Sequence, residues 1–179
     1  MTAFFMVNFI YALPLKSIFA MMIAGVLLWG FLRAKLNERV WRNANLVLLV
    51  LSIAAVLYLT IFDRGGGTYE VLLRPFSVLE RAKRQRELYR AMLMNVFLFF
   101  PLGLTLSNAL PQKWSRWRRV ALTTLLGCAL SIGIEYAQYR FSLGMTETDD
   151  VICNTLGAFL GACSLLIAYA VERRQRKQK

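Results

Sequence analysis

Ser131, Glu135 and Gln138 stand four and three positions apart in an otherwise apolar run. At 3.6 residues per turn they share one face of a helix. A carboxylate surrounded by hydrocarbon is costly unless it is paired, hydrated or protonated, so Glu135 requires a partner or a wet cavity. A second stripe begins in the segment Met145–Gly157: Asp150, Asn154, Gly157 and Gly161 follow one another at +4, +3 and +4. Gly157-x-x-x-Gly161 admits another helix at close range, and that helix would lie against Asp150 and Asn154. Thr148 or Asp149 can cap the start of this helix, where acids suit the positive end of the dipole. Capping accounts for one acid or two, but not for the stripe. Asn95 lies one turn into a third apolar run, ahead of Pro101 and Gly103. Proline lacks an N–H and crowds the preceding turn, so the spacing predicts a kink near Phe97–Pro101 with Asn95 on its outer side.

Three kinds of chemistry are open to such residues. Acids and amides can bind the polar head of an amphiphile. Glu135, Asp149 and Asp150 could hold a divalent cation through hard oxygen ligands, or Glu135 could serve as a general base. The same groups could be a structural clasp between helices, with Arg64 or Arg140 satisfying the acids. The chain has no histidine, which removes His-based triads and His metal ligands. Cys128, Cys153 and Cys163 have neither metal-type spacing nor an even count for disulfides, and read as packing residues. No P-loop or nucleophile motif is present. No organic cofactor is expected; a divalent cation is the one inorganic candidate.

The elements that must carry these residues are apolar stretches of about 20 residues, the length that spans a bilayer as helix. Five are predicted: Ser17–Leu32, Ala44–Phe62, Ala91–Leu110, Val120–Tyr139 and Val151–Val171. The 179 residues are 58% hydrophobic and 18% charged, against about half and a quarter in soluble domains. This excludes a disordered chain and a typical cytosolic enzyme. The expected fold is all-α, a polytopic bundle of five spans. Residues 1–43 form an N-terminal segment with the first span, 44–171 the helical membrane domain, and 172–179 a basic tail. The stretch Met1–Leu13 is apolar but lacks the basic start and small-residue cleavage site of a signal peptide.

The net charge of +12 is concentrated in the gaps between spans, which suits lipid headgroups and topology rather than nucleic acid. With five spans, 13 Lys/Arg fall on one side and nine on the other. The positive-inside rule then puts the N-terminus outside and the C-terminus in the cytoplasm. In the long second gap, Gly65-Gly66-Gly67 ends the second span, Arg74-Pro75-Phe76 is extended, and Leu79–Arg90 is a solvated, charged helix leading into the third span. With this topology, Arg64, Asn95, Glu135, Gln138, Asp150 and Asn154 all lie in the outer half of the membrane.

Arg74-Pro75-Phe76, Asn95-x-x-x-Phe99-Phe100-Pro101-Leu102-Gly103, Ser131-x-x-x-Glu135-x-x-Gln138 and Glu147-x-Asp149-Asp150-x-x-x-Asn154-Thr155-Leu156-Gly157 together resemble the VanZ-like family of small bacterial membrane proteins. The resemblance covers roughly Ile61–Leu166 and leaves out the first span. It implies a multi-pass protein of the bacterial cytoplasmic membrane with a cell-envelope role, in some members linked to teicoplanin-type glycopeptide resistance. One departure stands out. The family pattern has Gly-Arg and then Asp ahead of the Asp-Asp pair, whereas here Met145 follows Gly144 and Glu147 takes the Asp position; Arg140 is the candidate for the missing charge.

Three functions follow as expectations. The first is an outer-leaflet pocket for a lipid headgroup, a lipid-linked cell-wall precursor or an amphiphilic lipoglycopeptide, with Arg74, Arg81 and Arg84 attracting phosphate. The second is a membrane enzyme acting on a phosphorylated or lipid-linked substrate. The third is a non-catalytic scaffold. Expected partners are membrane lipids, such a precursor or antibiotic, and a second copy of the chain, but not nucleic acid. Transport is disfavoured, since five spans without a repeat lack alternating-access symmetry.

Overall fold

The computed structural model describes residues 14–62 and 71–177. Among these, the chain forms α1 (Leu15–Lys35), α2 (Glu38–Leu57) closed by a π-helical turn (Tyr58–Phe62), β1 (Val71–Leu72), α3 (Ser77–Ala82), α4 (Arg86–Ala109), α5 (Arg116–Phe141), β2 (Thr146–Glu147) and α6 (Thr148–Lys177). All helices but α3 are long and apolar enough to cross a membrane, so the expected all-α, five-span architecture is what the protein adopts. The triple glycine and the stretch before Pro14 lie outside the described residues.

Each helix outruns its apolar run. The charged gap expected over Arg33–Asn43 shrinks to Leu36 and Asn37, because α1 continues to Lys35 and α2 starts at Glu38. Asn37 makes this sharp reversal workable: its side chain accepts from the Val40 N–H at 2.9 Å, satisfying one of the free donors of the α2 N-terminus. Between α4 and α5, Ser115 plays the same part, capping α5 by accepting from Arg118 N–H.

The core is a seam between α4 and α6, which share the most extensive contact in the bundle. Apolar burial separates helices from water but not from lipid, so close backbone approach must do the joining. Gly157 and Gly161 supply it. A Cβ on Gly157 would strike the Val96 carbonyl, and one on Gly161 the Phe100 carbonyl and the Leu104 N–H; from the facing helix, a Cβ on Gly103 would strike the Ala158 carbonyl. The expected small-residue face is therefore real, and its partner is α4. Around the seam, Val56 from α2, Phe99 and Leu102 from α4, Ile134 from α5 and Ala158 from α6 form one buried cluster. α1 packs against α6 but leaves Leu27, Leu28 and Phe31 more than half exposed, as a lipid-facing helix should. α4 runs through Pro101 as a single helix; the Thr105 hydroxyl donates back to the Pro101 carbonyl at 2.8 Å.

The solvated helix expected over Leu79–Arg90 is not formed. Instead α3 ends at Ala82, the chain turns through Lys83-Arg84-Gln85, and α4 starts afresh at Arg86. The reason is burial: Val78 and Ala82 are 4% and 5% exposed, packed in where α3 folds against α4 and α6. Ahead of it, Phe76 takes a left-handed conformation (φ 63°), which a bulky residue adopts only when its surroundings impose it.

Candidate functional site

At the end of the bundle where α2 and α5 finish and α4 and α6 begin, polar groups from all four helices come together. The deepest pair joins α5 to α6: the Asn154 side-chain amide donates to the Ser131 hydroxyl at 2.9 Å, both groups being buried. One turn nearer the surface, the Asn95 amide of α4 donates to Asp150 Oδ1 at 2.7 Å. Gln138 reaches across to α2, donating from Nε2 to the Thr60 carbonyl at 2.8 Å. That carbonyl lies in the π-helical turn, where the regular i to i−4 ladder is interrupted; the Thr60 hydroxyl in turn donates to the Val56 carbonyl at 2.7 Å. Glu135, 6% exposed, accepts at Oε2 from the Glu147 backbone N–H at 2.9 Å.

A short parallel ladder explains how Glu147 comes to lie there. Val71 pairs with Thr146 and Leu72 with Glu147, stitching the second gap of the chain to the fourth above Glu135. Glu147, which stands where the family pattern has Asp, thus meets Glu135 through its main chain.

Asp149 has a different role from the one its position suggests. It does not serve its own helix but caps α3. Its Oδ1 accepts from Phe76 N–H at 2.5 Å, and its Oδ2 from Val78 N–H at 2.7 Å and Leu79 N–H at 3.4 Å. The carboxylate is 3% exposed. This clamp is what holds Phe76 at positive φ and folds α3 onto the bundle, and it links Arg74-Pro75-Phe76 to Asp149-Asp150. With its oxygens directed at backbone donors, Asp149 does not join Glu135 and Asp150 in a three-carboxylate set; among the described residues no group of three His, Cys, Asp or Glu side chains is arranged to hold a metal ion.

Of the expected site residues, Asn95, Ser131, Glu135, Gln138, Asp150 and Asn154 stand at one end of the bundle, with the Glu147 main chain among them, while Asp149 is turned to α3. Arg64 lies outside the described residues. Arg140 is exposed, its guanidinium 6.0 Å from the Phe141 ring centre, and among the described residues no hydrogen bond joins it to the acids. Two buried acceptors in the cluster, Gln138 Oε1 and Asn154 Oδ1, have no hydrogen-bond partner among the described residues. Buried polar atoms are paired in the great majority of cases, so these two are exceptions among the described residues.

Beside the cluster, at the same end, a cavity of about 770 Å³ is lined by four cations, Lys83, Arg84, Arg86 and Arg90, and one acid, Glu87, with Leu15 and Tyr89. Of the three arginines expected to attract phosphate, Arg84 lines it; Arg74 and Arg81 are exposed elsewhere. The sequence reading missed Thr60, whose carbonyl is invisible as a site, and Arg119, counted with a gap. Arg119 is 4% exposed and caps the end of α4, donating from Nε and Nη2 to the Ser107 carbonyl at 2.8 and 2.6 Å.

Residues 46–169 match the family model described as VanZ/LLP1. Protein VanZ of Enterococcus faecium is 34% identical over 91 residues, 51% of this chain and 51% of the relative; the chain spans about half the length of that curated relative. No solved structure matches. The family match begins within α2, earlier than the resemblance read from the motifs, and still leaves out α1. It takes in α3 to α5 whole and reaches far into α6, so every described residue of the polar cluster falls within it: this multi-pass membrane protein of the cell envelope belongs to the VanZ/LLP1 family.

Proposed function

We propose that the chain is a non-enzymatic binding protein of the bacterial cytoplasmic membrane, which takes the polar head of an amphiphile at the outer end of its bundle. The ligand class is a lipid headgroup, a lipid-linked cell-wall precursor or a teicoplanin-type lipoglycopeptide, and a contribution to glycopeptide resistance follows from capture of the last two. The observation that carries the reading is the pair of buried, unpartnered acceptors, Gln138 Oε1 and Asn154 Oδ1, within a cluster that also holds Asp150 and Glu135. Acceptors and carboxylates suit the hydroxyls, amides and amines of such a head. The neighbouring cavity, where Lys83, Arg84, Arg86 and Arg90 outnumber the single acid Glu87, suits a phosphate or pyrophosphate linker, and the exposed apolar sides of the helices suit its acyl chain.

The test is binding of fluorescent teicoplanin and of a lipid-linked precursor to purified protein in nanodiscs, comparing wild type with Glu135→Gln and Asp150→Asn. Each variant is expected to weaken binding about tenfold while retaining its melting temperature within a few degrees. Equal binding by wild type and both variants would remove the cluster from the site. Binding should survive excess EDTA; its loss on chelation would instead assign a divalent cation to Asp150 and Glu135.

A further inference from the structure

The opposite end of the bundle carries a second cavity, of about 620 Å³, where the ends of α1 and α4 meet the start of α5 and the second half of α6. Three arginines from two helices line it: Arg33, Arg116 and Arg119. No acidic side chain does so among the described residues. Arg119 is nearly inaccessible from outside and its only hydrogen bonds among the described residues go to one carbonyl, that of Ser107. A neutral carbonyl satisfies two N–H groups but does not neutralise a buried cation. Arg33 lies close enough to repel Arg119; among the described residues it donates one long bond, 3.5 Å, to the Gln112 side chain and sits 5.9 Å from the Trp41 ring centre. Arg116 stacks on Tyr169, with 3.1 Å from its central carbon to the ring centre. Like charges gathered in a cavity without a counter-charge are unfavourable unless an anion joins them. Arginine forks favour phosphate, and the walls contributed by Leu165, Leu166, Trp114 and Trp117 are those of a site at the level of lipid headgroups.

We propose that this cavity binds the phosphodiester headgroup of an anionic membrane lipid, held by Arg33, Arg116 and Arg119, at the end of the bundle opposite the polar cluster. With the topology read from the charge distribution, this is the cytoplasmic leaflet. The proposal is independent of the outer-end function and can fail without it.

Native mass spectrometry of the full chain, released from micelles doped with phosphatidylglycerol or phosphatidylcholine, tests it. Wild type is expected to retain one phosphatidylglycerol at concentrations where phosphatidylcholine is lost, with a preference of about tenfold or more. Arg33→Gln/Arg116→Gln, two substitutions away from the buried core, should abolish the preference; Arg119→Gln should do the same if it folds. Retention without preference, or a preference that persists in the double variant, overturns the proposal. Inorganic phosphate and pyrophosphate form a separate arm. Saturable binding of either that competes with the lipid, without a lipid preference in its absence, would overturn the lipid assignment in favour of a soluble phosphate. Failure of millimolar phosphate to displace the lipid supports the headgroup.

Discussion

Asp149→Asn isolates the clamp on α3. The native carboxylate accepts three backbone N–H groups, at 2.5, 2.7 and 3.4 Å. An amide keeps a single acceptor oxygen, and however it sits its NH2 faces a donor. One charge-assisted hydrogen bond is lost, and the Val78 or Phe76 N–H is left without a partner. Each loss is worth roughly 1.5–3 kcal/mol by itself, and since they overlap the expected cost is about 3 kcal/mol. It falls on α3, which is joined to the bundle by Val78, Ala82 and this clamp, rather than on the seam of α4 and α6. At about 1.4 kcal/mol per decade, amide protection over residues 76–82 should drop about a hundredfold in hydrogen–deuterium exchange of the protein in nanodiscs. Peptides from the Gly157–Gly161 turn should exchange as in wild type. Protection of 76–82 within a few-fold of wild type would refute the clamp. A uniform loss over all helices would refute its confinement to α3.

Gly161→Ala drives a methyl into the Phe100 carbonyl and the Leu104 N–H, main-chain groups that cannot step aside; a loss of about 2 kcal/mol or more in reversible unfolding is expected, whereas Gly133→Ala, which meets nothing, should be neutral or stabilising by up to about 1 kcal/mol from helix propensity. Gln138→Leu removes the donor to the Thr60 carbonyl and should lower the melting temperature, at a cost of about 1–3 kcal/mol. Topology is read with single cysteines in a background lacking the native three: an impermeant maleimide on intact cells should label Arg140→Cys and spare Lys113→Cys, and the reverse pattern would invert the bundle.

The five spans were legible because a run of about 20 apolar residues declares itself without any partner. Their ends were not, since helices continue through charged turns that lie beyond the hydrocarbon: α5 begins at Arg116, and Arg119, which looks like one more gap cation, is instead buried against the end of α4. Periodicity placed Asp150, Asn154, Gly157 and Gly161 on one face, and the glycines do meet another helix. It could not say how the polar members divide: Asp150 pairs with Asn95 on α4 and Asn154 with Ser131 on α5, which depends on how three helices are rotated about their axes. Asp149 was readable as a cap for its own helix or as a ligand beside Glu135 and Asp150. Its true partners are backbone amides some seventy positions away, and amides carry no sequence signature. The same blindness made Leu79–Arg90 look like one solvated helix.

The glycine seam also fixes longitudinal registration. Gly157 sits under the Val96 carbonyl and Gly161 under that of Phe100, so sliding α4 past α6 by one turn, about 5.4 Å, would bring side chains where only bare main chain fits. Asn95, next to Val96, is therefore indexed to Asp150 by the backbone and not by the strength of their own bond. The pairing of these two side chains thus inherits its register from glycines about two and three turns further along α6.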